Sequence, residues 1–145
     1  MSKPVFILNG PNPNLLGERQ PEIYGTTTLK DIESQLVKLA SELKLKIDFR
    51  QSNHEGQLVD WLQEARNGAS AVIINAAGYT HTSVAIRDAV AALGVPAIEV
   101  HLSNIHARER FRRNSFLAEV VQGTIMGFGA HGYSLALRAA HALID

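Results

Sequence analysis

The chain of 145 residues contains no cysteine. This absence excludes a disulfide framework, a thiol nucleophile and every zinc or iron–sulfur site that uses cysteine ligands. The net charge is zero, because 14 lysines and arginines balance 14 aspartates and glutamates. A protein whose main role is to cover nucleic acid would carry a large positive charge, so we expect no nucleic-acid partner.

Long apolar runs are also missing from the sequence. None approaches the roughly 18 residues of a membrane span, and the apolar part of the start MSKPVFILNG is too short for a signal peptide. We therefore expect no membrane partner and a cytoplasmic protein.

The length and apolar content fit one globular domain. An apolar fraction of 46% in 145 residues is enough for a real core. The sequence has no repeat, no low-complexity segment and no linker. We expect a single catalytic domain over residues 1–145.

Short β-rich apolar runs alternate with amphipathic stretches along the chain, which is typical of βα units on a parallel sheet. The predicted strands are Val5 to Leu8, Leu45 to Phe49, Ala71 to Ile74, Ala97 to Val100 and Val120 to Ile125. The predicted helices are Thr28 to Leu43, Glu55 to Arg66, Ser83 to Leu93 and Tyr133 to Leu143. The pattern predicts an α/β protein with a flavodoxin-like, open, five-stranded parallel sheet and helices on both faces.

A long irregular stretch, Gly10 to Thr27, follows the first strand and contains three prolines. Loops of this length inside a compact domain are usually functional or disordered. Ligands of open α/β sheets bind beyond the carboxyl ends of the strands, so this stretch would overhang the site. We expect an active-site lid over about residues 18–26.

Polar residues gather where the predicted strands end. They are Asn9, Gly10 and Asn12 after the first strand, Asn53, His54 and Glu55 after the second, Asn75, Tyr79 and His81 after the third, and His101 to Asn104 after the fourth. These positions face one crevice, and such a density of histidine and asparagine exceeds what capping needs.

Glu99 and His101 are two residues apart in a strand, so both side chains leave the same face. A carboxylate there could fix the imidazole tautomer and raise its pKa, as an acid catalyst needs. The alternative is a buried histidine that caps its own backbone. Ser103 has the chemistry to cap a helix beginning at Asn104, whose N-terminus would attract a carboxylate or phosphate. Arg112 could add charge, although arginines at this spacing more often form a solvated face.

Arg19 and Tyr24 flank Pro21 on the long loop. Half-ionising a tyrosine at pH 7 needs roughly 4 kcal/mol of differential stabilisation. An arginine pressed against the phenol in a closed, dry pocket could supply much of it. The alternative is an ordinary surface tyrosine with an arginine nearby.

Several rival chemistries do not fit the sequence. A zinc metalloprotease helix starting at His54-Glu55 would need histidine at position 58, which is Leu58, and we expect no metal. The glycine-containing loop after the first strand has neither the P-loop nor the dinucleotide pattern, and a flavin is not indicated. A phosphorelay receiver shares the topology, but it would have acidic residues where Asn9 and Asn75 stand.

Taken together, the motifs resemble the type II 3-dehydroquinate dehydratases of the shikimate and quinate pathways over nearly the whole chain. The matching segments are Asn9 to Asn12, Leu15 to Gly17, Arg19 to Gly25, Ser52 to Gly56, Tyr79 to Ser83, Arg87-Asp88 and Glu99 to Glu109. Pro13, Gln20 and the order Ala77-Gly78 depart from the usual family pattern.

The resemblance implies dehydration of 3-dehydroquinate to 3-dehydroshikimate by anti elimination through an enolate, without a cofactor. Tyr24 would be the base, with Arg19 lowering its pKa, and His101 the acid beside Glu99. Asn12 would stabilise the enolate through a water. The substrate-binding residues would be Asn75, His81, Leu102, Ser103 and Arg112.

Family members assemble as trimers grouped into dodecamers, so the resemblance also implies a homo-oligomer that is a tetramer of trimers. Asp88 would then serve the site of a neighbouring subunit. Whether the enzyme acts in biosynthesis or in quinate breakdown stays open.

Overall fold

Five strands and four α-helices alternate along the part of the chain that the computed structural model describes, residues 2–12 and 27–144. The strands are β1 (Val5–Asn9), β2 (Ile47–Gln51), β3 (Ala71–Asn75), β4 (Ala97–His101) and β5 (Gly123–Met126). The helices are α1 (Leu29–Glu42), α2 (Glu55–Gly68), α3 (Val84–Ala91) and α4 (His131–Leu143). The five strands and four helices that the alternating pattern predicts are all present, and only their ends differ. The predicted lid over about residues 18–26 lies outside the described residues.

The strands form one parallel sheet in the order β2-β1-β3-β4-β5. This is the flavodoxin-like order, in which the chain reverses direction across the sheet at β1 and β3. All residues of β1, β3 and β4 are buried, as parallel strands covered on both faces should be. The predicted α/β class is confirmed. Within the described residues, no helix is long and apolar enough to cross a membrane.

Each face of the sheet carries its own apolar layer. Alternate residues of β1 and β3, such as Ile7 and Ile73, pack against α1 and α4. The residues between them, such as Leu8 and Ile74, pack against α2 and α3. Because side chains alternate between the faces of a strand, the two layers follow directly from uninterrupted apolar strands.

The helix starts follow from side chains that satisfy free backbone N–H groups. Thr28 Oγ1 accepts from Asp31 N, and the Asp31 carboxylate accepts from Thr28 N, so a capping box begins α1 next to its predicted start at Thr28. Ser83 Oγ accepts from Ile86 N at 2.9 Å and caps α3. The predicted boundary at Ser83 therefore marks the cap, one residue before the helix.

The fifth strand begins later than Val120, the residue that the sequence predicts. Gln122 exchanges two hydrogen bonds with Ala97, its backbone N–H donating to the Ala97 carbonyl and its side-chain oxygen accepting from Ala97 N. Regular pairing starts only at Gly123, opposite Ile98. Val120 and Val121 instead pack on the layer formed with α2 and α3, so their apolar character reflects burial and not strand pairing.

Ala77, just after β3, has a left-handed backbone with φ of 54°. This conformation costs an L-residue about 1–2 kcal/mol because Cβ approaches the following carbonyl. Ala77 N donates to Asn75 Oδ1 at 3.1 Å, so the strained residue fixes a side chain at the end of β3. The strain thus lies where the order Ala77-Gly78 departs from the family pattern.

We expect Ala77→Gly to raise the free energy of unfolding by up to about 1 kcal/mol, because relief of the strain exceeds the entropy that glycine loses on folding. Urea denaturation measures this change. The control is Ala85→Gly in the exposed, regular part of α3, which should lower the unfolding free energy by about 1 kcal/mol. A destabilised Ala77→Gly protein would contradict the strain.

Candidate active site

The carboxyl ends of β1, β3 and β4 bring buried polar side chains to one edge of the sheet. Asn9 ends β1, Asn75 ends β3 and His101 ends β4. Asn9 is fully buried, and Asn75 and His101 are each 5% exposed. Polar groups are buried only when they are hydrogen-bonded, so their partners define what this edge can do.

The Glu99 carboxylate and the His101 imidazole form the central pair of the site. His101 Nε2 lies 2.5 Å from Glu99 Oε2, and Glu99 has no exposed surface. The prediction that both side chains leave the same face of β4 is confirmed. The alternative of a histidine that only caps its own backbone is not what the geometry shows.

Three hydroxyl groups complete the surroundings of the Glu99 carboxylate. Ser115 Oγ donates to Oε2 at 2.6 Å, while Thr80 at 3.5 Å and Thr124 at 3.3 Å are more distant donors. Burial by itself opposes ionisation of Glu99, but the hydrogen bonds from His101, Ser115 and Thr124 outweigh it and lower the pKa of the carboxyl group. Glu99 is therefore a buried carboxylate held in its charged form.

The pair also fixes the chemistry of the imidazole. Because Nε2 faces an ionised carboxylate, it carries a proton in both the neutral and the charged ring. Nδ1 of His101 has no hydrogen-bond partner within the described residues. Nδ1 is thus the atom that can take up and release a proton toward a ligand.

His81 lies close enough to this pair for their charges to act on it. Its Nδ1 donates to the Asn114 carbonyl at 2.9 Å. Burial lowers the pKa of His81, and the neighbouring charges of His101 and Arg112 lower it further, against the Asn114 hydrogen bond. His81 is consequently neutral at neutral pH, with Nε2 available as an acceptor.

Arg112 is placed by a three-residue 3₁₀ turn, Arg110–Arg112. Its Nε donates to Glu109 Oε2 at 3.2 Å, and its side chain is only 24% exposed. The sequence alone did not decide whether Arg112 belongs to the site or to a solvated face of arginines. Arg110 and Arg113 are exposed, whereas Arg112 is partly buried near His81, so the run of arginines divides between the two roles.

Asn12 also adopts a left-handed backbone, with φ of 76°. Its N–H donates to Asn53 Oδ1 at 3.2 Å, and Gln51 Nε2 donates to the same oxygen at 3.0 Å.

Two residues before Asn12, Gly10 passes so close to the end of β3 that a Cβ there would lie 2.5 Å from the Ala76 carbonyl oxygen. Glycine is therefore required at position 10 for the chain to leave β1 in this direction.

The predicted cap at Ser103 is wrong. Asn104 caps the segment, its Oδ1 accepting from His106 N at 3.1 Å, and the segment is a three-residue 3₁₀ turn, Ile105–Ala107, instead of a helix. The longer Asn side chain reaches an N–H two residues ahead, and Arg108 returns to extended backbone before a second turn can form. Any anion site here depends on single N–H groups and on arginine, without a helix dipole.

Leu102 and Ser103 nevertheless line an open cleft of about 670 Å³. Arg108 lies in the same cleft, and its Nη1 is 3.4 Å from Ser103 Oγ. A carboxylate-sized anion could enter beside these backbone groups.

Two of the predicted catalytic residues, Arg19 and Tyr24, lie outside the described residues. Asp88 is exposed on α3, and no described contact joins it to the site. Within residues 2–12 and 27–144, no group of three or more histidine, aspartate or glutamate side chains could hold a metal ion. The structure thus brings together Glu99, His101, His81 and Arg112, with Asn75 at the next strand end.

Sequence reasoning missed the hydroxyl donors of Glu99 and also missed Tyr133, which contacts Asn9 and Asn75. Ser115 follows a run of arginines, and Tyr133 occupies an apolar position of α4. Nothing in their local sequence pattern indicated a polar role. A buried glutamate in the sequence does predict some set of donors, but not which residues supply them.

The fold is that of an α/β protein, and the buried Glu99–His101 pair lies at the carboxyl ends of the strands, where open parallel sheets bind their ligands. Residues 3–141 match the model of the family described as Dehydroquinase class II. The 3-dehydroquinate dehydratases of Brucella canis and Brucella suis are each 59% identical over 143 residues, which is 99% of this chain and 91% of each relative.

Solved structures agree with this match. The type II dehydroquinase of Propionibacterium acnes has a TM-score of 0.94 and 44% identity, with 98% of each chain covered. That of Butyrivibrio crossotus has a TM-score of 0.93 and 38% identity, with 96% of this chain and 97% of the other covered. The chain belongs to the class II dehydroquinase family and is a hydro-lyase of that family. The phosphorelay receiver is thereby excluded.

We expect protonation of Glu99 to destabilise the fold. Because its folded pKa lies below the ordinary value of 4.5, the ionised group stabilises the protein above that pH, and the contribution is lost as the pH falls through the folded pKa. The difference in unfolding free energy between the wild type and Glu99→Gln should therefore shrink on acidification. Urea denaturation at several pH values measures it.

Thr124→Val supplies a graded comparison for this experiment. It removes one donor to the carboxylate, so the folded pKa of Glu99 should move back toward the ordinary value of 4.5. The stability lost on acidification should then be smaller than in the wild type, and the loss should be complete at a higher pH. If the wild type and Glu99→Gln differ by the same amount at every pH, the carboxylate is not held as described.

Proposed function

We propose that the protein dehydrates 3-dehydroquinate to 3-dehydroshikimate by anti elimination of water through an enolate. The observation that carries the proposal is the buried Glu99–His101 pair, whose second imidazole nitrogen has no hydrogen-bond partner within the described residues. The names of the curated relatives support the same substrate.

His101 acts as the acid in this proposal. Its protonated ring gives the Nδ1 proton to the departing hydroxyl, since Nε2 is held by Glu99. The Glu99 carboxylate holds the Nε2 proton in place, so the ring gives up only the proton at Nδ1.

Tyr24 acts as the base, as a phenolate whose pKa is depressed by Arg19. The proton next to a ketone is weakly acidic, so its removal needs a strong base together with stabilisation of the enolate oxygen. Asn12 would supply the second requirement through a water molecule. Its backbone is already held by Asn53.

The remaining contacts orient the ring of the substrate. Asn75, neutral His81 and Arg112 would bind its hydroxyl groups, and the backbone at Leu102 and Ser103 would receive its carboxylate. The cleft beside Leu102, with Arg108 in its wall, supports an anion at that position.

We also propose a cytoplasmic dodecamer, a tetramer of trimers, that works without a cofactor in the shikimate or quinate pathway. Asp88 is exposed on α3, so a neighbouring subunit can reach it. Light scattering tests the assembly, since a monomer in solution would contradict it.

The substrate assignment is tested by ultraviolet absorbance. We expect an enone to form when 3-dehydroquinate is added to the protein in the presence of a metal chelator. Because no lysine Schiff base is involved, borohydride added with the substrate should leave no covalent adduct. Absence of enone formation, or a chelator-sensitive or borohydride-trapped reaction, would contradict the proposal.

Two variants separate the base from the acid. Tyr24→Phe should bind the substrate but show no turnover and no uptake of deuterium from D₂O beside the ketone, because nothing removes the proton. His101→Ala should lower kcat by orders of magnitude yet still permit deuterium uptake, because the enolate forms and cannot expel hydroxide. Mass spectrometry of recovered substrate measures the exchange. Exchange in Tyr24→Phe would assign the base elsewhere, and near-normal kcat in His101→Ala would reassign the acid.

A further inference from the structure

A chain of four hydrogen bonds crosses the sheet edge beside the site, from β2 to the turn after β3. Asn9 Nδ2 donates to the Arg50 carbonyl at 2.9 Å, and Asn9 Oδ1 accepts from the Tyr133 hydroxyl at 2.6 Å. Asn75 Nδ2 donates to the Tyr133 oxygen at 2.9 Å, and Asn75 Oδ1 accepts from Ala77 N at 3.1 Å. Three side chains that are distant in sequence thus form one connected path.

Both ends of this path are backbone groups that cannot exchange roles. The Arg50 carbonyl can only accept a hydrogen bond, so it must meet the Asn9 amide nitrogen. The Ala77 N–H can only donate, so it must meet the Asn75 amide oxygen. These two backbone partners therefore determine which atom of each side-chain amide is the oxygen and which is the nitrogen.

The middle of the path follows from its two ends. With Asn9 Oδ1 pointing at Tyr133, the phenol must donate to it, and its oxygen is left to accept from Asn75. Asn9 and Tyr133 are fully buried, so water cannot substitute for either partner. Burial raises the pKa of Tyr133 to about 12, so the phenol keeps its proton at any pH at which the enzyme works.

One of the two N–H groups of the Asn75 side-chain amide has no acceptor within the described residues. The amide nitrogen carries two hydrogens, and Tyr133 is its only acceptor within the described residues. The carbonyl oxygen of the same amide is occupied by Ala77 N. At the site, Asn75 can therefore offer a donor.

We propose that Tyr133, supported by Asn9, is a positioning residue that fixes the Asn75 amide so that it presents an N–H donor to the substrate. The position then selects an oxygen that accepts a hydrogen bond, such as a ring hydroxyl with its lone pair toward Asn75. This inference rests on the proposed function, in which Asn75 contacts the substrate, and it adds what sets the direction of that contact.

The role predicts a coupling that a purely structural tyrosine would not produce. Tyr133→Phe should lower kcat/KM by roughly tenfold, mainly through a higher KM, because an amide that loses one of its two anchors can turn. In an Asn75→Ala background, the same substitution should change kcat/KM less than twofold. A double-mutant cycle measures this coupling.

Leu137→Val is the matched control, since Leu137 is equally buried and lies one turn further along α4. It should lower the unfolding free energy without changing kcat/KM. Equal losses from Tyr133→Phe in both backgrounds, or a stability loss with unchanged kcat/KM, would overturn the positioning role.

Asn9→Leu is the second variant, in case Tyr133→Phe does not fold. It removes the acceptor of the phenol proton while nearly keeping the shape of the side chain. The Tyr133 hydroxyl should then turn toward Asn75 and disturb its amide. KM should therefore rise although Tyr133 is still present. An unchanged KM would contradict the proposal.

The side-chain amide signal of Asn75 in a ¹⁵N-labelled protein provides a readout that does not depend on turnover. Tyr133→Phe should shift this signal and speed its hydrogen exchange, whereas Leu137→Val should not. If the wild type forms no enone but the Asn75 signal responds as described, the proposed function fails and the positioning by Tyr133 stands. An Asn75 signal that ignores Tyr133→Phe would refute the positioning itself.

Discussion

A carboxylate with no exposed surface must find its hydrogen bonds within the protein, and this requirement at Glu99 organises the site. The donors come from β4 itself, from the turn after β3, from the segment after the 3₁₀ turns and from β5. Removing one donor from a buried charge is far more costly than removing a surface hydrogen bond. Thr80, Ser115 and Thr124 thereby fix three separate segments relative to His101.

The backbone supports the same arrangement. Phe116 N donates to the Thr80 carbonyl at 2.8 Å, which joins two of the segments that carry donors. Ser115 Oγ also accepts from Leu117 N at 3.1 Å, so its hydroxyl hydrogen is left for Glu99. The orientation of the carboxylate is therefore set by the fold and does not depend on a bound substrate.

The alternation of side chains along parallel strands divides the site between two faces of the sheet. Glu99 and His101 continue the series of Ala97, which packs toward α2 and α3. Asn9 and Asn75 continue the series of Ile7 and Ile73, which pack toward α1 and α4. The Glu99–His101 network and the Asn9–Tyr133–Asn75 network therefore lie on opposite faces of the sheet.

The sequence predicts well those features that depend on local pattern. The strands, the start of the first helix near Thr28 and the common face of Glu99 and His101 follow from alternation and spacing alone. The cap at Ser103 failed because serine and asparagine both cap turns, and only the path of the chain selects Asn104. Tyr133 could not be foreseen, since its hydroxyl meets Asn9 across 124 positions of the chain.

The proposed acid step changes the net charge of the Glu99–His101 pair, and this change explains why Glu99 needs several hydrogen-bond donors. Before the step, the carboxylate faces an imidazolium, and the pair is neutral as a whole. After the proton leaves from Nδ1, His101 is neutral and Glu99 is still ionised, so a buried negative charge is left without a countercharge in the pair. The neutral ring still donates from Nε2, and Ser115 and Thr124 still donate to the carboxylate. In the proposed step these donors let Glu99 stay charged throughout, so the Nε2 proton stays on His101 and only the Nδ1 proton is transferred.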